Sequence, residues 1–206
     1  MKARQLLLFG AALATLAAAA SAQAPAGAST SGQDASATRS YLPDKGRGYV
    51  GLSLGRSRYS IACGATSFSC DNTDNSVQIS AGSMLGNFWG VELAYIDMGR
   101  IGRGGGTTRA QGLNLSLLGK VPVWQSLGVF GKLGTTYGRT ETSAAVGSGL
   151  ATGSERGFGL SYGAGVSYDF TPQLSATLGW DSHDFRFAGG GRDPVRSTSL
   201  GLQYKY

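Results

Sequence analysis

Large apolar side chains alternate with small or polar ones from Gly48 onward, in segments of about ten residues that are separated by breaks. An alternation with a period of two is typical of β-strands whose two faces meet different surroundings. The pattern therefore predicts eight strands, an even number. Their apolar positions are Val50, Leu52, Leu54; Val77, Ile79, Ala81; Val91, Leu93, Tyr95; Leu113, Leu115, Leu117; Leu127, Val129, Leu133; Leu160, Tyr162, Ala164, Val166, Tyr168; Ala176, Leu178, Trp180; and Leu200, Leu202, Tyr204.

The opposite face of these strands carries glycine, serine and charged residues, for example Gly51 and Ser53 in the first segment and Lys132 in the fifth. A soluble β-sandwich needs large apolar side chains on its inner faces. A polar interior with an apolar exterior is the arrangement of an outer-membrane barrel. In an eight-stranded barrel the interior has room for little more than side chains, which favours glycine there. We therefore predict an all-β fold, an eight-stranded antiparallel up-and-down transmembrane β-barrel.

The breaks between segments support this topology. Short breaks at residues 86–87, 122–125 and 171–173 alternate strictly with longer ones at 56–75, 99–109, 139–156 and 188–194. Such barrels have short periplasmic turns and long extracellular loops. Aromatic residues near the strand ends predict two interfacial girdles, with Trp89, Trp124, Tyr168, Phe170, Tyr204 and Tyr206 below and Tyr95, Tyr137, Phe158, Phe185 and Phe187 above.

The composition excludes several other classes. Glycine occupies 34 of the 206 positions, and only 15% of the residues are charged. There is no G-X-Y period, which excludes collagen, and each glycine inside a helix costs about 1 kcal/mol relative to alanine, which disfavours a helical enzyme or bundle. A mean hydropathy of -0.07 still allows a membrane barrel, because its apolar and polar residues cancel in an average.

The amino-terminal part predicts export. Residues 1–24 have basic Lys2 and Arg4, an apolar run and a small-residue site, which together indicate a signal peptide. Residues 25–45 read as a flexible periplasmic leader, and 46–206 as the barrel. Cleavage would remove two positive charges and no negative ones, lowering the formal charge from +6 to +4. The positive charge is therefore no argument for a nucleic-acid partner, and we expect none.

Several segments resemble a known family. The sequences GYVGLSLG at 48–55, GVELAYIDMG at 90–99 and YGAGVSYDF at 162–170 are similar to strands of the small eight-stranded outer-membrane proteins. That family includes the OmpA-type transmembrane domain and the Opa and OmpX surface proteins. The resemblance implies a cell outer-membrane location and a non-enzymatic structural or surface role: envelope integrity, adhesion to a host or matrix ligand, or lipopolysaccharide contact through extracellular loops. A narrow porin-like channel is the alternative, and a lipid A-modifying enzyme is a third.

The last strand carries the most specific part of the resemblance. Residues 199–206, SLGLQYKY, are similar to the signal that the barrel assembly machinery recognises in its clients, through Ser199, Gly201, Tyr204 and Tyr206. Tyr206 stands where the family more often has phenylalanine. The resemblance therefore implies the assembly machinery as a partner.

Polar residues on the inward face form a candidate lumen network of Glu92, Lys132, Asp181, Gln78 and Asn114. Charged groups in a narrow interior must pair, or else they carry a large desolvation penalty. A salt-bridged plug is one interpretation, and a gated ion path is the other.

His183, the only histidine, is flanked by Ser182, which invites a hydrolase hypothesis. Adjacent residues of a strand point to opposite faces, so these two cannot form a nucleophile and base pair. We therefore predict a rim residue without catalytic role, and no cofactor or metal.

Cys63 and Cys70 lie in one predicted external loop. Disulfides form in the exported compartment, so we predict a disulfide that staples this loop. Free thiols and a metal pair are the alternatives.

Arginine is concentrated at the predicted loops and upper strand ends, whereas Lys120, Lys132 and Lys205 fall in strands. Guanidinium groups match phosphate oxygens with two parallel hydrogen bonds. One hypothesis is a clamp for lipopolysaccharide phosphates, and the other is a solvated rim of mixed charge. The candidate contacts are Arg100, Arg103, Arg109, Arg139 and Arg156.

Overall fold

A computed structural model describes residues 48–61, 70–189 and 191–206. Eight antiparallel strands pair in sequence order, and β1 closes on β8 to form a barrel, which confirms the predicted fold class. The described residues include no helix that is long and apolar enough to cross a membrane. The strands are β1 Gly48–Tyr59, β2 Thr73–Met84, β3 Trp89–Arg103, β4 Gly106–Pro122, β5 Leu127–Ser143, β6 Gly153–Asp169, β7 Leu174–Arg186 and β8 Arg192–Lys205.

The strand register shows how strongly the strands are staggered. A walk from Tyr49 across successive paired residues returns to β1 at Tyr59, ten residues further along the same strand. A barrel closes with such an offset only when its strands tilt relative to its axis. Residues far apart in sequence therefore share one inward-facing row: Tyr49, Gly82, Glu92, Ser116, Gly134, Ser161, His183, Val195 and Tyr59.

The two faces of the wall separate as the alternation predicts. The leucines of the apolar face are exposed on the outside, as at Leu115 with 56% and Leu200 with 64% exposure. Glycines on the inner face leave space for neighbouring backbone. A Cβ at Gly134 would lie 2.1 Å from the carbonyl oxygen of Leu115, and one at Gly55 would lie 2.2 Å from that of Thr198. Larger residues there would force the strands apart.

The lower end of the barrel, defined by Gly48 and Lys205, carries three turns of four residues, at 85–88, 123–126 and 170–173. These short turns are where the sequence predicts them. The upper end departs from the prediction. Strands β3 and β4 continue to Arg103 and Gly106, and Gly104 and Gly105 alone join them.

Both of these turn glycines have positive φ, 57° and 70°, as a type I′ hairpin requires. The predicted long loop at 99–109 is therefore wrong, as is the strict alternation of short and long connections. The predicted loop at 139–156 is shorter as well, because β5 runs to Ser143 and β6 begins at Gly153. These extensions escaped the periodicity because threonine, serine and arginine replace leucine there.

A β-bulge in β3 changes which side chains face inward. The register shifts between Asp97 and Arg100, and Gly99 between them has a φ of 75°. Up to Met98 the even-numbered residues of β3 face inward, as Glu92 does; this alternation is called the inward parity of the strand. Above the bulge the odd-numbered residues face inward instead, so that Ile101 and Arg103 are the buried residues.

The upper interior contains a large apolar cluster beside buried polar residues such as Arg103 and Thr108, which corrects the expectation of a polar interior throughout. The cluster is made of Tyr59, Ala94, Ile96, Met98, Ile101, Ala110, Phe185, Phe187 and Val195. Phe185 and Phe187 were expected in the upper girdle, but they are buried. They share the inward parity of Asp181, which explains the error. The remaining girdle aromatics are exposed on the outside: Trp89, Trp124, Tyr168, Phe170, Tyr204, Tyr206, Tyr95, Tyr137 and Phe158.

Candidate functional site

The lower interior holds a buried ion pair. Lys132 Nζ donates a hydrogen bond to Glu92 Oε1 at 2.8 Å, and Tyr49 Oη donates to Glu92 Oε2 at 2.5 Å. Both carboxylate oxygens are therefore satisfied, although Glu92 is only 1% exposed. The ammonium also lies 5.3 Å from the centre of the Phe130 ring. The structure thus brings together two of the five predicted network residues through direct bonds.

Asp181 and Gln78 are placed less tightly. Asp181 is buried on the inner face and is close enough to interact with Lys132 through charge, without an ion pair at bonding distance. Its carboxylate covers Gly163, where a Cβ would lie 2.2 Å from Oδ1. Gln78 is half-buried on the inner face, and its side chain makes no hydrogen bond to the residues that the structure describes. Gln78 is therefore a lining residue of the network rather than a member of its bonds.

A second polar cluster lies on the inner face and contains the fifth predicted residue. Asn114 Nδ2 donates to Ser161 Oγ at 2.5 Å and to Thr136 Oγ1 at 2.9 Å. Thr136 Oγ1 in turn lies 2.9 Å from His183 Nδ1. These bonds link strands β4, β5, β6 and β7 from within. Thr136 and Ser161 were not among the predicted site residues, although both lie on the inward parity.

His183 is an interior residue, which corrects its predicted place at the rim. It is buried, and its Nε2 has no hydrogen-bond partner among the described residues. Ser182 lies on the opposite face of β7, as the alternation requires, and its hydroxyl is also without a described partner. The two residues therefore do not form a nucleophile and base pair. Within the described ranges, no group of three or more His, Cys, Asp or Glu side chains could hold a metal ion.

The apolar cluster is fixed to the wall above the polar clusters. Tyr59 Oη donates to the carbonyl oxygen of Gly99 at 3.0 Å and accepts from Ala110 N at 3.1 Å. Ser57 Oγ donates to the carbonyl oxygen of Met98 at 2.6 Å. The bulge of β3 is thus tied to β1 and β4 at the level of the apolar cluster. An ion crossing the barrel would have to pass this apolar cluster.

The five predicted arginines do not form one surface. Arg100 and Arg156 are exposed, whereas Arg103 is buried inside and donates from Nε to Thr108 Oγ1 at 2.9 Å. Arg103 is therefore unsuited to a lipid clamp, because the bulge turns it inward. Burial lowers the pKa of its guanidinium, which lies above the apolar belt, the band of exposed leucine, valine and aromatic side chains around the outside of the barrel.

Two more of these arginines already have carboxylate partners. Arg109 is bonded to Asp97, and this hydrogen bond raises the pKa of Arg109. Arg139 Nη2 lies 2.6 Å from Glu141 Oε1. Arg100, Arg109 and Glu141 line a cavity of about 320 Å³ with mixed charge.

The register shows a relationship that the sequence did not reveal. Four pairs of arginines stand directly opposite each other on neighbouring strands, and all lie above the apolar belt. Like charges directly opposite on a sheet destabilise it. The pairs are Arg58 with Arg196, Arg100 with Arg109, Arg139 with Arg156 and Arg186 with Arg192.

The remaining predicted residues lie on β8, at its lower end, or outside the described ranges. Ser199 and Gly201 face inward on β8, and Tyr204 and Tyr206 are exposed at its lower end. Tyr206 N donates to the carbonyl oxygen of Gly48 at 3.0 Å. Their recognition by the assembly machinery stays a prediction. Cys63, residues 1–24 and residues 25–45 lie outside the described residues, so the disulfide to Cys70, the signal peptide and the leader also stay predictions.

Solved structures share this fold. Neisserial surface protein A is 16% identical over 77% of this chain and 97% of its own, with a TM-score of 0.59. OprG of Pseudomonas aeruginosa is 13% identical over 80% of this chain and 98% of its own, with a TM-score of 0.55. Ail, the attachment invasion locus protein of Yersinia pestis, is 16% identical over 79% of this chain and 100% of its own, with a TM-score of 0.52. At these identities the likeness concerns the fold.

No curated protein matches the sequence. A family model does match, that of the outer membrane protein β-barrel domain, and it covers residues 10–206. The match includes every described strand, and it agrees with the closed barrel and its apolar outer face. The location is therefore the outer membrane, and the chain belongs to the outer-membrane β-barrel protein family.

Proposed function

We propose that this protein is a non-enzymatic surface barrel that stabilises the outer membrane through contacts of its upper rim with lipopolysaccharide. The observation that carries the proposal is the contrast between a filled interior and a rim of opposed arginines. The inside contains a neutralised ion pair, a hydrogen-bonded cluster and an apolar layer. The charges of Lys132 and Glu92 are paired inside the barrel, whereas several rim arginines have no carboxylate partner among the described residues, which favours the surface as the place of binding.

The rim arginines need negative partners that the described chain supplies only in part. Arg109 and Arg139 are bonded to carboxylates, but Arg58, Arg100, Arg156 and Arg196 have no carboxylate at ion-pair distance within the described ranges. Lipopolysaccharide in the outer leaflet carries phosphates, which bind guanidinium groups through charge-assisted hydrogen bonds. Binding of phosphate would relieve the repulsion between opposed arginines and tie neighbouring lipids to a rigid wall.

The proposal is tested in a deletion strain that is complemented with the wild-type protein or with a variant in which four exposed arginines become glutamine: Arg58, Arg100, Arg156 and Arg196. The sensitivity of each strain to detergent and to large antibiotics is measured. A change in the electrophoretic migration of the protein after heating shows that the unheated barrel is folded. Arg103→Gln, inside the barrel, is the control for loss of charge at a site that lipid does not reach.

We expect the fourfold variant to be as sensitive as the deletion strain, and Arg103→Gln to resemble the wild type if it folds. Full protection by the folded fourfold variant would overturn the proposal. Retained protection together with host-cell adherence that depends on the loops would favour adhesion instead.

A further inference from the structure

One notch in the outer wall places arginines above an apolar surface, the apolar shelf, which Leu54 and Leu200 form directly below the notch. It lies across β1 and β8, and its volume is about 430 Å³. Strands β2 and β7 border it on either side. The lining includes Arg56, Arg58, Arg196, Thr73, Thr198 and Trp180.

The register divides this wall into three rows across β2, β1, β8 and β7. The lowest row is apolar, with Val77, Leu54, Leu200 and Leu178. The middle row is mixed, with Asn75, Arg56, Thr198 and Trp180. The upper row is polar and basic, with Thr73, Arg58, Arg196 and Ser182. An anionic head above apolar chains would match this order from top to bottom.

The positive charge of the notch is not neutralised by the described chain. Arg58 and Arg196 are directly opposite, and Arg56 lies two residues along β1 on the same face. None of the three guanidinium groups has a carboxylate at ion-pair distance within the described ranges, unlike Arg109 and Arg139. Asp74, on the neighbouring strand, is engaged elsewhere, since its Oδ2 accepts a hydrogen bond from Arg100 N at 2.5 Å.

Trp180 places the notch at the edge of the apolar belt. The residue is 40% exposed, and the centre of its ring lies 5.9 Å from that of Tyr162. Tryptophan at a membrane interface contacts apolar chains with its ring body while its indole N–H reaches polar groups. Leu54 and Leu200 continue the apolar surface directly below.

We propose that this notch binds a phosphate of a phosphorylated glycolipid in the outer leaflet, with the lipid's acyl chains lying along Leu54 and Leu200. The opposed forks of Arg58 and Arg196 can each donate two hydrogen bonds to phosphate oxygens. Arg56 adds a third charge, and Thr198 offers a hydroxyl donor, whereas the Thr73 hydroxyl already donates to Asp71 Oδ1 at 3.1 Å. The inference rests on the proposed rim contact with lipopolysaccharide, and it moves the main contact to β1 and β8, away from Arg100, Arg103 and Arg109.

The test uses the purified barrel in nanodiscs. Bisphosphorylated lipid A is added in increasing amounts, and the affinity of the barrel for this lipid is measured from the titration. The variant is Arg58→Gln with Arg196→Gln. The matched control is Arg186→Gln with Arg192→Gln, another opposed pair of arginines on neighbouring strands. Heat-modifiable migration confirms that both variants are folded. We expect the notch variant to bind about tenfold or more weakly, as the loss of charge-assisted hydrogen bonds predicts, and the control to stay within about twofold.

Two further measurements show which part of the lipid the notch recognises. Dephosphorylated lipid A is expected to bind the wild type as weakly as the notch variant binds the phosphorylated form. Excess inorganic phosphate is expected to compete poorly, because it cannot use the apolar shelf. Equal binding of both lipids, equal loss in both double variants, or full displacement by inorganic phosphate would overturn the inference.

Different outcomes separate the notch from the rim function. Retained affinity in the notch variant, with loss in Arg100→Gln and Arg156→Gln, would remove this site and keep the rim function. Absence of lipid A binding to the wild type would contradict both.

Discussion

Lys132 on β5 donates its hydrogen bond to Glu92 on β3, across the interior and past the intervening strand β4. The bond therefore connects two strands that do not pair with each other. Glu92 is only 1% exposed, and its two carboxylate oxygens are bonded to Lys132 and Tyr49. The lower interior is consequently held together by a buried ion pair and its hydrogen bonds.

Removal of one member of this pair should be costly. We expect Lys132→Met to lower the free energy of unfolding by about 3–5 kcal/mol, because it leaves the Glu92 carboxylate buried without its cation. Adding Glu92→Gln to that variant should recover a large part of the loss. Urea unfolding from lipid vesicles, followed by tryptophan fluorescence, measures both changes.

Arg192→Gln serves as the control for a lost cation, because Arg192 is exposed and has no described ion pair. Its stability should remain within about 0.5 kcal/mol of the wild type. Additive losses in the double variant at positions 92 and 132 would show that the two residues are not coupled, contrary to the bond between them.

The bulge at Gly99 should be sensitive to a single methyl group. Its φ of 75° costs an alanine about 1–2 kcal/mol. A Cβ there would also lie 2.4 Å from the carbonyl oxygen of Asn75, which is backbone and cannot turn aside. We expect Gly99→Ala to destabilise the barrel by clearly more than this conformational cost in the same unfolding assay.

Gly147→Ala is the matched control, since Gly147 has a φ of 85° but no heavy atom within 4 Å of the position that a Cβ would take. Its loss should be limited to the conformational cost. Equal losses at the two positions would mean that β2 does not hold the bulge in place.

The alternation of side chains was sufficient to predict the barrel and the inward face of its membrane part. Glu92, Lys132, Asp181 and Asn114 all lie inside, where their parity places them. Parity alone could not locate the upper extensions of the strands. Serine and threonine suit both loops and sheet edges, and Gly99 reverses the inward parity before Arg103 is reached.

The arginine pairs could not be predicted from the pattern of side chains within any one segment. Arg58 and Arg196 are 138 positions apart in the sequence and meet only because β1 closes on β8 with a specific offset. Periodicity gives the face of each strand but not the stagger between strands, which depends on how the whole barrel closes. The interior position of Phe185 could have been found, since it shares the parity of Asp181.

His183 should affect stability without affecting lipid chemistry. We expect His183→Ala to lower the free energy of unfolding by about 1–3 kcal/mol, because it leaves the Thr136 hydroxyl without one of its partners. The mass of lipid A extracted from cells that express this variant should equal the mass from wild-type cells. A change in lipid A mass that follows His183 would indicate an enzyme and contradict the non-enzymatic role.

The apolar cluster in the upper interior predicts that the barrel does not conduct ions, which can be tested directly. Tyr59, Met98 and Phe185 are all buried in this cluster, so ions would meet an apolar barrier above the Lys132 and Glu92 pair. The most direct measurement is the current through planar bilayers that contain the purified, folded barrel. We predict a current that stays at the baseline of the protein-free bilayer. Stable, voltage-proportional conductance steps from the wild-type barrel would contradict a sealed interior and a function confined to the outer surface.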